Sequence, residues 1–215
     1  MKPIIDVRNV VKKFKDTVVL KDVSISVESG KICGLIGKNG SGKTVLMKVI
    51  CGFITPDAGE IFVAGSHIGK DCDFPENVGV IIENPGFAQY ISGEKNLCNL
   101  ASIRKKISGE KVREVMEQVG LDPNDKKWVS KYSLGMRQRL GIAQAIMEDQ
   151  HILILDEPMN GLDKQGVREM RELFISLKNQ GKTILLASHS KEDIDILCDE
   201  VYEMEQGVLK KLKRG

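Results

Sequence analysis

No stretch of this 215-residue chain holds about eighteen apolar residues in succession, so no segment reads as crossing a bilayer. Pairs spaced C-x-x-C are also missing. The cysteines, Cys33, Cys51, Cys72, Cys98 and Cys198, are odd in number and scattered. That pattern argues against a disulfide frame or a zinc site and for free thiols in a reducing compartment. The N-terminal "MKPIIDVRNVVKKF" places charges where a signal peptide needs an apolar core. An excess of one charge is lacking too: a net charge of +2 supplies no strong electrostatic reason to expect nucleic acid. Only "LKKLKRG" at the end is locally basic; it reads as a solvated tail, with a weak attraction to anionic lipid as the alternative. Repeats and low-complexity segments are absent. The expectation is a cytoplasmic single domain with a real core, which works at a membrane only through another protein.

What is present changes character along the chain. "IIDVRNVVKKF" (residues 4–14) and "KDVSISVESG" (21–30) alternate apolar and polar residues, as half-buried antiparallel strands do. "KICGLIG" is a mostly apolar strand ending in glycine, and "KTVLMKVICGF" follows with helical spacing. "GEIFVAGSHI" reads as a hairpin strand and "VGVII" as a buried one. From about Asn96 to Met147 most segments are helical. Val112, Val115, Met116 and Val119 share one face, and Gly120 is placed to cap that helix. "HILILDEP" and "KTILLASHS" are short, continuously apolar strands. The helix between them turns Val167, Met170, Phe174 and Leu177 inward, and "EVYEMEQGVLKKL" closes as a hairpin. Strand–helix–strand units with apolar strands imply an α/β core around a mainly parallel sheet.

Two motifs carry chemistry. "GKNGSGKT", residues 37–44, fits G-x-x-x-x-G-K-[ST] between a strand and a helix. Gly37, Gly40 and Gly42 let the backbone wrap around phosphates with its N–H groups inward, and the following helix offers its positive end. Lys43 is expected to reach the β- and γ-phosphates and Thr44 to ligate Mg²⁺. Asn39, Ser41 and Val45 complete the expected contact set for the nucleotide. In "ILILDEP", Asp156 ends a buried strand and can hold Mg²⁺ through water, while Glu157 points the other way. Glu157 is thereby placed to take a proton from a water attacking the γ-phosphate. Together the motifs imply a phosphate-loop nucleotide hydrolase. A guanine-specifying N-K-x-D is absent, which argues against a GTPase-type switch.

The stretch "YSLGMRQRL", residues 132–140, resembles the signature of the ATP-binding subunits of ABC transporters, LSGGQ followed by Q-Q-R. Ser133 and Gly135 match it; Tyr132, Leu134 and Met136 depart from it. Ser133 also reads as an ordinary helix N-cap. "NGLD" resembles that family's D-loop, with Asp163 as its aspartate, and His189 matches its switch histidine. Phe14 falls where the family stacks an aromatic ring on adenine, and reads equally as a core aromatic on an edge strand. The resemblance covers essentially the whole chain. It implies an ABC ATPase: a phosphate-loop core from residues 1–83 and 150–215, with an N-terminal antiparallel β-subdomain, and an α-helical subdomain, 84–149, inserted into it. It implies ATP and Mg²⁺ as ligands, with Lys43, Glu157 and His189 at the reacting phosphate. It implies two partners: a second copy or a similar ATPase subunit, and a transmembrane permease that holds the chain on the inner face of the cell membrane. Ser133 and Gly135 would then complete the other copy's site.

The stretch "VIIENPGF", residues 80–87, stops an apolar strand on Glu83 and turns at Asn84, Pro85 and Gly86. In the family this position holds a glutamine that touches Mg²⁺ and the attacking water, so Glu83 is a candidate metal ligand. The acid together with S-L-G-M-[RK]-Q-R resembles exporters that protect against bacitracin and lantibiotic-type peptides. A soluble ABC-type ATPase acting on ribosomes or DNA is the alternative. Such proteins usually carry two of these domains in one chain or a long coiled-coil insertion, and this sequence has neither.

Overall fold

Alternation in the first third becomes an antiparallel sheet. The computed structural model describes residues 3–83 and 85–212; Asn84 of the expected turn and the last residues of the basic tail lie outside them. Strand β1 (Ile5–Phe14) pairs with β2 (Thr17–Val27), Ile5 opposite Val27 and Phe14 opposite Thr17. The chain then forms β3 (Ile32–Ile36) and α1 (Lys43–Ile50) before returning as β4 (Ala58–Val63) on the free side of β1. A short β5 (Ser66–His67) completes the order β2-β1-β4-β5. Ala64 and Gly65 join β4 to β5 with φ of 50° and 87°, the mirror-image turn that matches strand twist. The ladder between β1 and β4 stops at Val11 and Ala58, so Phe14 is paired only with Thr17 of β2; the residue is 43 % exposed, which overturns the reading as a core aromatic.

The second sheet runs β10-β9-β3-β8-β7-β6, with β6 (Val78–Ile81), β7 (Ile152–Asp156), β8 (Thr183–Ala187), β9 (Glu200–Glu205) and β10 (Val208–Leu212). The pairs β9–β3, β3–β8, β8–β7 and β7–β6 are parallel, and β10 alone is antiparallel to its neighbour. Both faces of this sheet are covered. Ile152 and Ile154 face the cluster shared with α1 and the antiparallel sheet, while Leu153 and Leu155 face the cluster shared with the later helices. Burial on both faces is why these strands read as unbroken apolar runs.

Between β6 and β7 lie α2 (Gly93–Arg104), α3 (Gly109–Gln118) and α4 (Leu134–Ile146). Each begins on a serine, Ser92, Ser108 or Ser133, whose hydroxyl accepts a first-turn N–H at 3.2, 3.3 and 3.1 Å respectively. Helix α3 ends as its sequence indicates: Gly120 takes φ 74°, and the Leu121 N–H reaches back to the Met116 carbonyl at 2.8 Å. Helix α5 (Lys164–Asn179) starts earlier than its apolar spacing requires, because Asp163 caps it at 2.8 Å from the Gly166 N–H. Met170 and Phe174 are fully buried on its inner face; Phe174→Ala would cost about 3–5 kcal/mol. The short α6 (Lys191–Leu197) follows β8. Parallelism has one consequence for function. The carboxyl ends of β3, β8, β7 and β6 open on the same edge, where α/β sheets bind ligands.

Candidate active site

The turn after β3 is a closed cradle. Gly37, Gly40 and Gly42 have φ of 148°, 76° and 115°, conformations that L side chains rarely adopt. At Gly37 a side chain would also collide with the Met204 carbonyl and come within 2.8 Å of Ser41 Oγ. Lys43 is buried, and its ammonium donates to the Gly37 and Lys38 carbonyls at 2.6 and 3.2 Å, inside the loop. Ser41 Oγ is buried with no hydrogen-bond partner among the described residues. An orphaned hydroxyl is costly. Beside the buried Lys43 ammonium, it fits an anionic ligand such as a phosphate chain. An open cleft of about 440 Å³ lies over this loop, lined by Val19, Gly40, Lys43, Thr44, Asp156 and Glu157 among others.

The strand ends bring the remaining chemistry to that cleft. Strand β8 lies between β3 and β7, so the turn after it sits between the phosphate loop and the acids. Thr44 donates its hydroxyl to Asp156 Oδ2 at 2.6 Å, which joins the two expected Mg²⁺ residues. Glu157 leaves the strand in the left-handed region, φ 50°, held by its N–H on the Ala187 carbonyl at 3.0 Å. Such a conformation costs a non-glycine residue about 1–2 kcal/mol, and strain of this kind concentrates at functional sites. Its carboxylate lies 2.8 Å from His189 Nδ1. Asp156 and Glu157 thus take different partners.

Glu83 is at the same edge but elsewhere in its bonding. It has φ 61°, is 64 % exposed in its side chain, and pairs with Lys48 of α1 at 2.6 Å. The structure joins Thr44 to Asp156 and leaves Glu83 outside that pair. No group of three or more His, Cys, Asp or Glu side chains that could hold a metal ion exists among the described residues. A cation at Thr44 and Asp156 therefore needs nucleotide oxygens and water for its remaining ligands, the usual habit of Mg²⁺.

The signature turn stands apart from this cleft. Ser133 is exposed at the N-terminus of α4, and Gly135 is half-buried, its Cα face close to the Gly161 carbonyl. Leu134 is 58 % exposed and lies directly over Gly161, where a methyl group would come within 2.5 Å of Leu134 Cγ. Tyr132 is buried, and its hydroxyl accepts the Gly93 N–H at 3.2 Å. Burial pushes that phenol up from its ordinary pKa. Of the expected residues, Lys43, Thr44, Asp156, Glu157 and His189 are thus gathered on one edge with Asn39, Ser41 and Val45. Phe14, Ser133, Gly135 and Asp163 are outside that cluster.

Sequence reasoning missed several supports. The turn between β9 and β10 fastens the back of the loop: the Gly207 N–H donates to the Ser41 carbonyl at 3.0 Å, and the Gly207 carbonyl accepts the Lys21 N–H at 2.8 Å. Gln138 of α4 donates to the Glu157 carbonyl at 3.3 Å. Val19 walls the cleft from the other sheet. No periodicity signals such contacts, because each joins segments far apart in the chain. The Gln206-Gly207 pair between two strand-like runs, with φ of 46° and 82°, is the local clue to that turn.

A phosphate loop, an acidic strand end and a histidine turn on one edge of a parallel sheet define a nucleoside-triphosphate hydrolase. Residues 20–160 match the family described as ABC transporter. The chain belongs to that family: it is an ABC ATPase, the ATP-binding subunit of a transporter. It is 44 % identical over 205 residues to the uncharacterized ABC transporter ATP-binding protein YybJ of Bacillus subtilis (strain 168), covering 95 % of this chain and 94 % of that one. It is 39 % identical to the bacitracin transport ATP-binding protein BcrA of Enterococcus faecalis, over 97 % of this chain and 68 % of that protein. It is 34 % identical to the lantibiotic transport ATP-binding protein SrtF of Streptococcus pyogenes, over 94 % and 86 %. Its fold matches the dimeric structure of MJ0796, a bacterial ABC transporter cassette, with a TM-score of 0.87 at 20 % identity, over 98 % of this chain and 100 % of that chain.

Proposed function

We propose that this subunit drives export of a peptide antibiotic or a similar drug-like molecule through a separate permease. Two copies would close around two ATP molecules. The observation that carries the hydrolytic part is the convergence of two pairs, Thr44 with Asp156 at 2.6 Å and Glu157 with His189 at 2.8 Å, on the rim of the phosphate cradle. The main-chain amides of residues 37–44 and Lys43 bind the β- and γ-phosphates. Thr44 and Asp156 would hold Mg²⁺, and Glu83 would join them on leaving Lys48; the bound ion would supply charge neutralisation at the phosphates. Glu157 accepts the proton as water oxygen bonds to the γ-phosphorus and the bond to the β-phosphate oxygen breaks, giving ADP and phosphate. His189 orients the Glu157 carboxylate and contacts the γ-phosphate.

The second half of each site comes from the other copy. Ser133 and Gly135 stand exposed or half-exposed, away from their own cradle, at a helix N-terminus suited to an anion. Asp163 borders the same face, and Phe14 offers an exposed ring for adenine. Residues 84–149 then work as a helical subdomain between the nucleotide and the permease, and the chain is peripheral on the inner face of the cell membrane. No helix among the described residues is long and apolar enough to cross a membrane. The cargo class rests on the relatives named for bacitracin and lantibiotic transport.

The test is co-purification from the native host followed by ATPase assays with candidate peptides. Recovery of a polytopic membrane protein and peptide-stimulated turnover are expected. Sedimentation with ribosomes and no membrane partner would overturn the transport reading and favour the soluble alternative.

A further inference from the structure

Nothing in the phosphate chemistry uses Arg171, although it is among the best-buried cations of the chain. It lies mid-way along α5, with its side chain 11 % exposed. Its guanidinium donates from Nε to Asp193 Oδ1 at 2.8 Å, and from Nη2 to the same carboxylate. A third donor, Nη1, reaches Glu192 at 3.0 Å on the solvent side. The Asp193 side chain is only 7 % exposed. A buried ion pair is weak evidence for stability, because desolvation offsets much of its attraction, but it fixes geometry.

What it fixes is the His189 turn. Asp193 is in the first turn of α6, and its N–H donates to Ser190 Oγ at 3.3 Å. The Ser190 N–H in turn donates to Ser188 Oγ at 3.1 Å, and that hydroxyl lies 3.5 Å from Asp193 Oδ2. The two residues flanking His189 are therefore both tied to Asp193, and Asp193 to α5. The same helix α5 is capped by Asp163 at its start. A cavity of about 160 Å³ separates the turn from Asn160 and Gly161, with Asp193 and Glu157 on its wall.

We infer that Arg171 is a positioning residue: its pairing with Asp193 sets the His189 turn against Glu157 and keeps it in register with the D-loop through α5. The inference rests on the role proposed for His189. Arginine matters here because two nitrogens of its planar guanidinium converge on one Asp193 oxygen while a third reaches Glu192, a spread of donors that a lysine ammonium does not copy.

The test uses the purified full chain and its basal Mg-ATPase. Arg171→Lys keeps the charge and loses the fork, and Asp193→Asn keeps the shape and loses the charge. Each is expected to lower kcat about ten- to a hundredfold with the KM for ATP unchanged, the size of a misplaced catalytic contact. In a His189→Ala background the same changes should produce little further loss. Hydrogen exchange should rise at 188–193 and stay constant at 37–44. Arg168→Lys, on the exposed face of α5, serves as control and should turn over normally. A normal kcat in both variants, a loss that adds in full to that of His189→Ala, or an exchange increase spread over the whole sheet would each overturn the inference. Normal turnover by His189→Ala alone is a separate failure, since it removes the role of the histidine itself.

Discussion

The phosphate loop and the signature turn are both helix N-termini, yet they are built on opposite plans. The loop before α1 is enclosed: Ser41 and Lys43 are buried, a hairpin from the far end of the chain is bonded to its back, and Gly37 leaves no room for a side chain. The turn before α4 is open: Ser133 and Leu134 are exposed, and Gly161 and Leu162 of the D-loop of the same chain lie against Leu134 and Gly135. An enclosed anion site can bind by itself. An open helix end must be brought to its ligand. The difference supports the proposal that the loop serves its own nucleotide and the signature turn serves another copy's.

The comparison can be broken most severely at the acid next to the receptor. Glu157→Gln should keep ATP binding and lower turnover by about 10²–10⁴-fold, trapping closed dimers visible by size-exclusion chromatography with ATP. Turnover at the normal rate would remove Glu157 as the base. In the receptor itself, Lys43→Ala should lose on the order of 10²–10³ in kcat/KM, measured by steady-state ATPase together with nucleotide binding. On the donor surface, Ser133→Arg should abolish ATP-dependent dimerisation while each monomer still binds nucleotide with normal affinity. Weakened monomer binding would mean that the signature turn serves its own cradle after all.

Smaller effects sharpen the contrast. Gly161→Ala pushes a methyl against Leu134 at a residue with φ 78° and should reduce turnover about tenfold, with nucleotide binding to the cradle preserved. Glu83→Gln should have the mildest effect. It breaks the exposed Lys48 pair, worth about 0–1 kcal/mol, and shifts the Mg²⁺ titration of ATPase activity toward weaker metal dependence. An unaltered titration would leave Glu83 as the polar end of β6.

Legibility followed the range of the interactions. Residues 37–44 and 152–158 could be read directly, because each motif sits within one strand end and its turn. Ser133 and Gly120 could be read as caps, because capping is local. Glu83 illustrates the boundary. Its place after an apolar strand was evident, but its partner Lys48 is thirty-five residues earlier in the chain and no spacing rule links them. Phe14 illustrates it again: the sequence marks an aromatic at the end of a strand, while its exposure follows from which strands flank it.

By itself the sequence determined the element types, the two buried faces of the parallel strands and the chemistry of the phosphate loop. These depend on periodicity, backbone freedom and charge, all properties of short segments. Tertiary structure alone decided that β8 would lie between β3 and β7. That order delivers His189 to Glu157, the pairing of β9 with the other side of β3 lets Gly207 brace Ser41, and the packing of α5 beside α6 sets Arg171 against Asp193. Those pairings depend on strand order and helix packing, which arise only when the whole core is buried at once.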